Sequence, residues 1–318
     1  MTCPYEMMQR AVDIVNSSPH PTNKIAATLH GTETNGHAFT VSETNYWPGS
    51  IESKIGRETK IGNSSGTIHA ETACILHAPR TQSADLFITD PPCPNCAKNM
   101  AEAGIKTLYI DHKGFEKDFA QRRGNLFASM SMRILDAAGI PVFVVFRKER
   151  RLETALEIKK GYIPPLENPS KLTALNCTIT KAVFVEQVQK ATTLYREAPF
   201  ALALGEKDAG HTFVFSASSH PAVGYTNNDD LSIEGKYSFI LQPINRILMG
   251  AKFHGLRIDR RFIYSSRIPT ARESINMIGA NLSTLYIGDK SASRDEFGPL
   301  AMEQLEKADI LKFLNFSL

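Results

Sequence analysis

Apolar residues recur along the first half of the chain in two alternating rhythms. Tyr5, Met8, Val12 and Val15 fall three to four apart, which is the spacing of one helical face; they predict an amphipathic helix over about residues 4–16. Two short apolar runs follow, KIAATL and HAFTVS, separated by the turn-like HGTETNG, and predict paired strands. The polar stretch from Trp47 to Gly66 has the composition of a loop or lid, with few apolar residues to bury. A helix is expected from near His69, then a strand in DLFIT, a helix over 94–103 closed by Gly104, and a strand in KTLYI. A further helix, from about Phe119 to Ala138 with Gly139 as its stop, leads to a last strand in PVFVVF. Helices alternating with apolar strands predict an α/β fold with helices packed on a central sheet.

GYIPPLENPSK, residues 161–171, carries three prolines and reads as a linker. Beyond it the rhythm restarts. ATLHGTETNGHAFTVSETN (27–45) aligns with ALALGEKDAGHTFVFSASS (201–219), and the TLYI of 107–110 with the TLYI of 284–287. Between them ACIL (73–76) faces NRIL (245–248). Element order and turn positions repeat at low identity, so one fold is expected twice. The boundaries expected are 1–160 for the first domain, 161–174 for the linker and 175–318 for the second.

Composition narrows the class. The 318 residues suit two domains, and 42% hydrophobic with 22% charged residues is ordinary for a globular chain with a full core. A net charge of +3 and a pI near 8.5 lack the dense Lys/Arg patterning that marks nucleic-acid binding. No apolar run approaches the ~18 residues of a membrane span. The N-terminus has no basic segment followed by an apolar block, so it reads as a structural helix and not a signal peptide. Five cysteines, an odd number, argue against a disulfide framework and for a cytoplasmic protein with reduced thiols.

The chemistry lies in TIHAETACIL (67–76) and TDPPCPNCAKNM (89–100). By itself the pair Cys93 and Cys96 admits a structural zinc, a redox dithiol or coincidence. Pro94 favours the first helical position, which places both sulfurs at a helix N-terminus, where thiolate is stabilised. His69 and Glu71 open the preceding helix. In a helix–strand–helix unit both N-termini emerge on one side of the sheet, so His69 can meet the two cysteines on one ion. One nitrogen and two sulfurs leave a fourth tetrahedral position for water, as in catalytic zinc sites. Such a water is acidified towards neutrality, and Glu71 is placed to shuttle its protons.

HAE followed by PCPNC across a strand resembles the H-x-E…P-C-x-x-C signature of the zinc-dependent cytidine/deoxycytidylate deaminase superfamily. The resemblance covers most of residues 1–146. It implies a three-layer α/β/α cytidine-deaminase-like fold, here duplicated in tandem, with Zn2+ held by His69, Cys93 and Cys96 and with Glu71 as the catalytic proton shuttle. CAKNMAEAGIKTLYI most resembles the deoxycytidylate branch, and TNYWPG sits at that branch's substrate loop. Asn45 and Ala70 thereby become candidate substrate contacts. Asp90 and Pro91 depart from the apolar-acidic pair usual before P-C. In the 47–66 insert Lys54, Arg57 and Lys60 are candidates to meet a phosphate; His77 reads as a packing or surface residue, while His112, which follows a strand, is a candidate to approach the substrate side. Cys3, Cys74 and Cys177 have no partner at metal spacing.

Carried into the second half, the alignment sets Leu241 opposite His69, Pro243 opposite Glu71, Thr270 opposite Cys93 and Glu273 opposite Cys96. No ligand survives. The second half then resembles a covalently attached partner that replaces a subunit, with Arg267, Arg272 and Glu273 in its remnant pocket; a homodimer of such chains is also compatible. The function implied is hydrolytic deamination of a cytosine nucleotide or nucleoside, a small-molecule substrate, to the uracil product and ammonia. The alternatives are a base in RNA such as tRNA adenosine, with Lys252, Arg257, Arg260 and Arg261 as the basic face; guanine or another purine or pterin-like ring; and a non-enzymatic nucleotide-sensing scaffold. Nucleic acid is the less favoured partner, and no membrane association is expected.

Overall fold

Proline at the first helical position starts α1 (Pro4–Ile14), whose Met7, Met8 and Ala11 are buried, and a tighter 3-10 turn carries the chain on to Ser17. The computed structural model to which this helix belongs describes residues 3–116, 124–207, 210–226 and 238–316. Strands β1 (Ala26–Thr32) and β2 (Ala38–Thr44) pair antiparallel. Helix α2 (Ala70–His77), β3 (Asp85–Ile88), α3 (Pro94–Glu102) and β4 (Thr107–Asp111) follow, then α4 (Gly124–Ala137), β5 (Val142–Phe146) and β6 (Arg151–Leu156). The sheet runs β2-β1-β3-β4-β5-β6. Its centre, β3-β4-β5, is parallel, and the flanking pairs are antiparallel.

The second half repeats this plan. It comprises β7 (Lys171–Leu175), α5 (Lys181–Tyr195), β8 (Phe200–Glu206), β9 (Thr212–Ser218), α6 (Pro243–Phe253), β10 (Arg257–Ile268), α7 (Ala271–Gly279), β11 (Thr284–Ser293), α8 (Phe297–Lys307) and β12 (Lys312–Asn315). Its sheet runs β7-β9-β8-β10-β11-β12, again an antiparallel hairpin beside three parallel strands, with β7 added at the edge. The registers correspond: Ala27 pairs with Ile88 in the first sheet, and its counterpart Ala201 pairs with Ser265 in the second. The fold is a three-layer α/β/α sandwich built twice.

Strand alternation explains the layers, since successive side chains point to opposite faces. Phe200, Leu202 and Leu204 pack with Phe184 and Val188 of α5, while Ala201 and Ala203 face the other way. In the first half Phe87 joins Met7, Met8 and Val145 beneath α1, and Leu86 and Ile88 face α2 and α3. The small alanines matter because on that face the two halves meet. Helix α6 packs on both α2 and α3, and α2 packs on both α6 and α7, a reciprocal arrangement like an isologous subunit contact. One apolar cluster, including Ile68, Ile75, Ile247, Met249, Ile275 and Ile278, runs through both halves. At Gly279 a Cβ would lie 2.6 Å from Ile68 Cδ1, so any larger residue would push that buried side chain aside.

Two expectations need correction. The stretch 47–66 is not a loose lid: it forms a short helix (Gly49–Lys54) and two facing two-residue strands (Lys60–Ile61 and Ser64–Ser65). Trp47, Ile51 and Ile61 are buried in the shared core. Their cover comes from far along the chain, where Gln304 accepts from Gly62 N and donates to Lys60 O. The segment 161–174 is also not all linker, because Lys171 already begins β7. Among the described residues no helix is long and apolar enough to cross a membrane.

His254, just past α6, packs edge-on against Phe215 and Phe253. Burial, with Lys207 and Arg80 nearby, lowers its pKa from 6.5 to about 4. The folded pKa is depressed, so between those values the unfolded chain binds the proton more readily. Stability from this site is therefore full above pH ~6.5 and is lost as the pH falls towards 4. Discounted for its partial exposure, the loss should be about 1 kcal/mol. Thermal melts of His254→Gln and the parent at pH 7 and 4.5 should show the parent losing more on acidification; equal losses would refute the assignment.

Candidate metal and catalytic site

The two helix starts that meet at the first sheet are built alike. His69 (φ −77°, ψ 147°) and Cys93 (φ −77°, ψ 162°) are extended residues directly before α2 and α3. Pro94 sets the first helical φ of α3, and Cys93 Sγ accepts from Cys96 N at 3.4 Å, capping that helix. His69 Nδ1 lies 3.5 Å from Cys93 Sγ and 3.3 Å from Cys96 Sγ, and the three ligand atoms all fall within 4.8 Å of one another. Tetrahedral zinc, with bonds of about 2.3 Å to sulfur and 2.0–2.1 Å to nitrogen, holds such atoms roughly 3.5–3.8 Å apart. The donor set and its spacing fit zinc.

The surroundings prepare the thiols. The Cys96 thiol donating to Cys93 holds Cys93 well below the ordinary thiol range, with His69 acting the same way against burial. Cys96 is pushed up by the same bond and by burial. Asn99 Nδ2 donates to Thr72 Oγ1 at 3.1 Å, which leaves the Thr72 hydroxyl proton to point at Cys96 Sγ, 3.7 Å away. Such outer partners orient the groups that touch a metal.

Glu71 is 3% exposed, and its Oε2 has no hydrogen-bond partner among the described residues. Burial raises its pKa to about 7, opposed by the neighbouring His69. An uncompensated buried carboxylate oxygen is costly. Beside an open metal coordination site, it is suited to a water and to proton transfer.

The other sequence candidates divide. Asn45 is buried, and its Oδ1 accepts from Ser18 Oγ (2.8 Å) and Ile25 N (2.9 Å), while Nδ2 donates to Asn23 O (2.8 Å). Three of its four hydrogen-bonding valences thus shape the loop ahead of β1. Ala70 is fully buried as the first residue of α2. Of the three phosphate candidates, Arg57 is paired with Glu52 and Lys54 Nζ donates to Asp309 O at 2.7 Å, while Lys60 is exposed at the start of a short strand. His77 pairs with Glu43, and His112 stacks on Phe146, both as packing residues.

The sequence reading missed His20 and Trp47. Their rings stack at 5.2 Å, and the Arg57 guanidinium lies 5.6 Å from the Trp47 ring centre. The stack lies within electrostatic reach of His69. Trp47 is marked in the sequence only as part of the TNYWPG loop and as the chain's single tryptophan, and nothing there marks His20. Lys98, on α3, was also missed: buried, it donates to Ser238 O (2.6 Å) and Ile240 O (2.9 Å) of the second half.

In the second half Thr270 caps α7 as Cys93 caps α3, and Glu273 stands where Cys96 does. The counterpart of His69 is Gln242, the residue before α6, one position away from the alignment through NRIL. That match was anchored inside the helix and misjudged where the helix begins. Glu273 Oε2 accepts from Thr270 N and Oγ1, and its Oε1 from Ile244 N, all at 2.8 Å. A capping box thus replaces a ligand set. Arg272 reaches across to Thr67 O (2.6 Å) and Ser65 O (3.2 Å), bracing the segment that delivers His69.

Residues 1–112 match the family model of the cytidine and deoxycytidylate deaminase zinc-binding region. An uncharacterized deaminase in the luxG 3' region of Aliivibrio fischeri is 35% identical over 77 residues, 24% of this chain and 50% of that protein. The deoxycytidylate deaminase of Enterobacteria phage T2 is 46% identical over 50 residues, 14% of this chain and 27% of that protein. The chain therefore spans half or less of the length of these curated relatives. Among solved structures, dCMP deaminase from the cyanophage S-TIM5 in complex with dCMP and dUMP aligns at 20% identity and a TM-score of 0.29, covering 43% of this chain and 93% of that one.

Proposed function

We propose that the chain, whose residues 1–112 match the family model of the cytidine and deoxycytidylate deaminase zinc-binding region, is a zinc-dependent hydrolase that deaminates a cytosine nucleotide or nucleoside, releasing ammonia and the uracil product. The observation that carries this reading is the buried Glu71 oxygen without a partner beside the His69, Cys93 and Cys96 cluster. A purely structural metal site has no use for it. Zinc bound to those three residues would acidify a water in the remaining coordination position. With zinc held there, Glu71 Oε2 would take a proton from the attacking water and give it to the ring nitrogen as the new C–O bond forms, then pass a second proton to the amine as its C–N bond breaks. With a pKa near 7, the carboxyl is poised for both directions of transfer. Asn45, anchored on three sides, keeps one amide N–H to offer the substrate, and Ala70 forms the wall beside His69. The phage T2 relative favours a deoxycytidylate-like substrate. The second half takes the place of a partner subunit, through the Arg272 brace and the Lys98 contacts.

The RNA alternative is weakened by the basic residues themselves. Arg257 is paired with Glu206 and Arg261 with Asp259, and Lys252 Nζ donates to Ala78 O.

The test is ammonia release by zinc-loaded protein from cytidine, deoxycytidine, their monophosphates, cytosine, adenosine, guanine and a tRNA pool. A cytosine nucleotide or nucleoside should turn over fastest. Metal analysis should find one zinc per chain, removed together with activity by a chelator and lost in Cys96→Ala. Turnover confined to tRNA or to guanine, or activity that survives complete loss of zinc, would overturn the proposal.

A further inference from the structure

The second half has lost the metal ligands but kept a pocket. A cavity of about 220 Å³ lies at the ends of β8 and β10, against the starts of α6 and α7, and is lined by Ser266, Arg267, Thr270, Gln242 and Arg294 among others. By strand register this is the counterpart of the first half's site: Ser265 answers Ile88, so Arg267 answers Asp90. An acidic residue has become a basic one at the same place.

A second cation arrives by a different route. β11 is twice as long as β4, ten residues against five. Its pairing with β10 slips between Arg267 and Ile268, which bond opposite Asp289 and Ser293. Such irregularities re-aim the side chains beside them, and the extension delivers Arg294 to the cavity. Among the described residues neither arginine has a carboxylate within ion-pair distance. Arg267 donates to Glu197 O (3.1 Å) and Arg294 to Ser238 Oγ (2.9 Å). Asp289, opposite Arg267 in the strand pairing and within its electrostatic reach, is held by the backbone N and hydroxyl of Ser291. Glu273, the acid lining the cavity, turns both oxygens into the two helix starts. Two guanidinium groups thus line one cavity with no carboxylate of the described residues at ion-pair distance.

We propose that this cavity is a second binding site, for a small phosphate monoester gripped by Arg267 and Arg294. Planar guanidinium forks match phosphate oxygens in pairs, and the Ser266 hydroxyl, whose oxygen accepts from Phe200 N, keeps its proton for the ligand. The volume is below the roughly 300–1,000 Å³ of pockets for drug-sized ligands, so the ester carries no more than a sugar-sized group. The site is independent of the deaminase chemistry and needs no metal. It adjoins the seam between the halves: Thr270 and Arg294 also line a cleft shared with Asn63, Ser64 and Lys98 of the first half.

The experiment is calorimetric titration of the zinc-loaded full chain with inorganic phosphate, ribose 5-phosphate and dCMP, with phosphorus NMR as a second readout. Ribose 5-phosphate should bind, since it has no base to occupy the first site. Arg267→Gln and Arg294→Gln should each weaken it about 10–100-fold, the worth of a hydrogen bond to a charged group. Arg267→Lys should restore part of the loss, and Glu71→Ala should leave binding unchanged. Three results would overturn the proposal: no binding of any of these phosphates, binding undiminished in both Gln variants, or Arg267→Lys as weak as Arg267→Gln with the same drop in melting temperature. The last would make Arg267 a strut for the Glu197 carbonyl.

Discussion

Glu71→Gln should lower kcat about 10²–10⁴-fold, the usual contribution of a positioned general acid–base, while one zinc per chain remains bound. The substitution keeps the shape of the side chain and removes only its ability to carry a proton. Buried glutamine suits this position at least as well as buried glutamate, because the carboxylate lacks a partner for Oε2 and its ionised form is disfavoured by burial. The variant should therefore melt no lower than the parent. Loss of turnover with gain or retention of stability identifies a group kept for chemistry at the expense of folding. Steady-state kinetics, metal analysis and a thermal melt on one preparation decide it. Parent-like kcat would remove Glu71 from the mechanism, and loss of zinc would make it part of the metal's support.

The largest effect on stability should come from the seam. Arg246 is 1% exposed and Glu102 is 6% exposed, and the two join across the halves at 3.1 Å. Arg246 also donates to Ser218 O and Asn168 O, both at 2.9 Å. Removing one partner strands the other. Arg246→Ala should cost about 3–5 kcal/mol, because Glu102 would stay buried without its counter-charge, and melting should fall by about 10 °C. The double change Glu102→Leu with Arg246→Met should recover much of that, since a buried pair often gains little over apolar residues of similar volume. Calorimetry on the single and double variants checks this. A double variant as unstable as Arg246→Ala would mean that the bonds to Ser218 and Asn168, not the pair, carry the effect.

What could be read from the chain follows from the range of the forces involved. The metal cluster was legible because its determinants are local: an extended ligand ahead of each helix, a proline fixing one helix start, and a strand between them that brings both to one edge of the sheet. The repeated fold was legible because alternation and turn spacing survive divergence in identity. Burial of Trp47, Ile51 and Ile61 was not, because Gln304 and its helix supply the cover from about 240 positions away. The His20–Trp47 stack was hidden for the same reason: neither ring belongs to a periodic pattern. The true partner of His69 was missed by one residue because identity inside a helix does not say where the helix begins.

Helix α2 has no solvent side over most of its length: every residue from Ala70 to Leu76 is buried, between its own sheet on one side and α6 and α7 on the other. The metal-bearing helix and the helices of the metal-free half therefore share a boundary that neither can alter alone. A gene lineage that had dispensed with the second set of ligands would still be unable to let Ile247, Ile275 or Gly279 drift, since each change there would be felt by the residues following His69. Loss of chemistry in a duplicated half thus does not release it from selection. It moves the pressure from the pocket to the contact face.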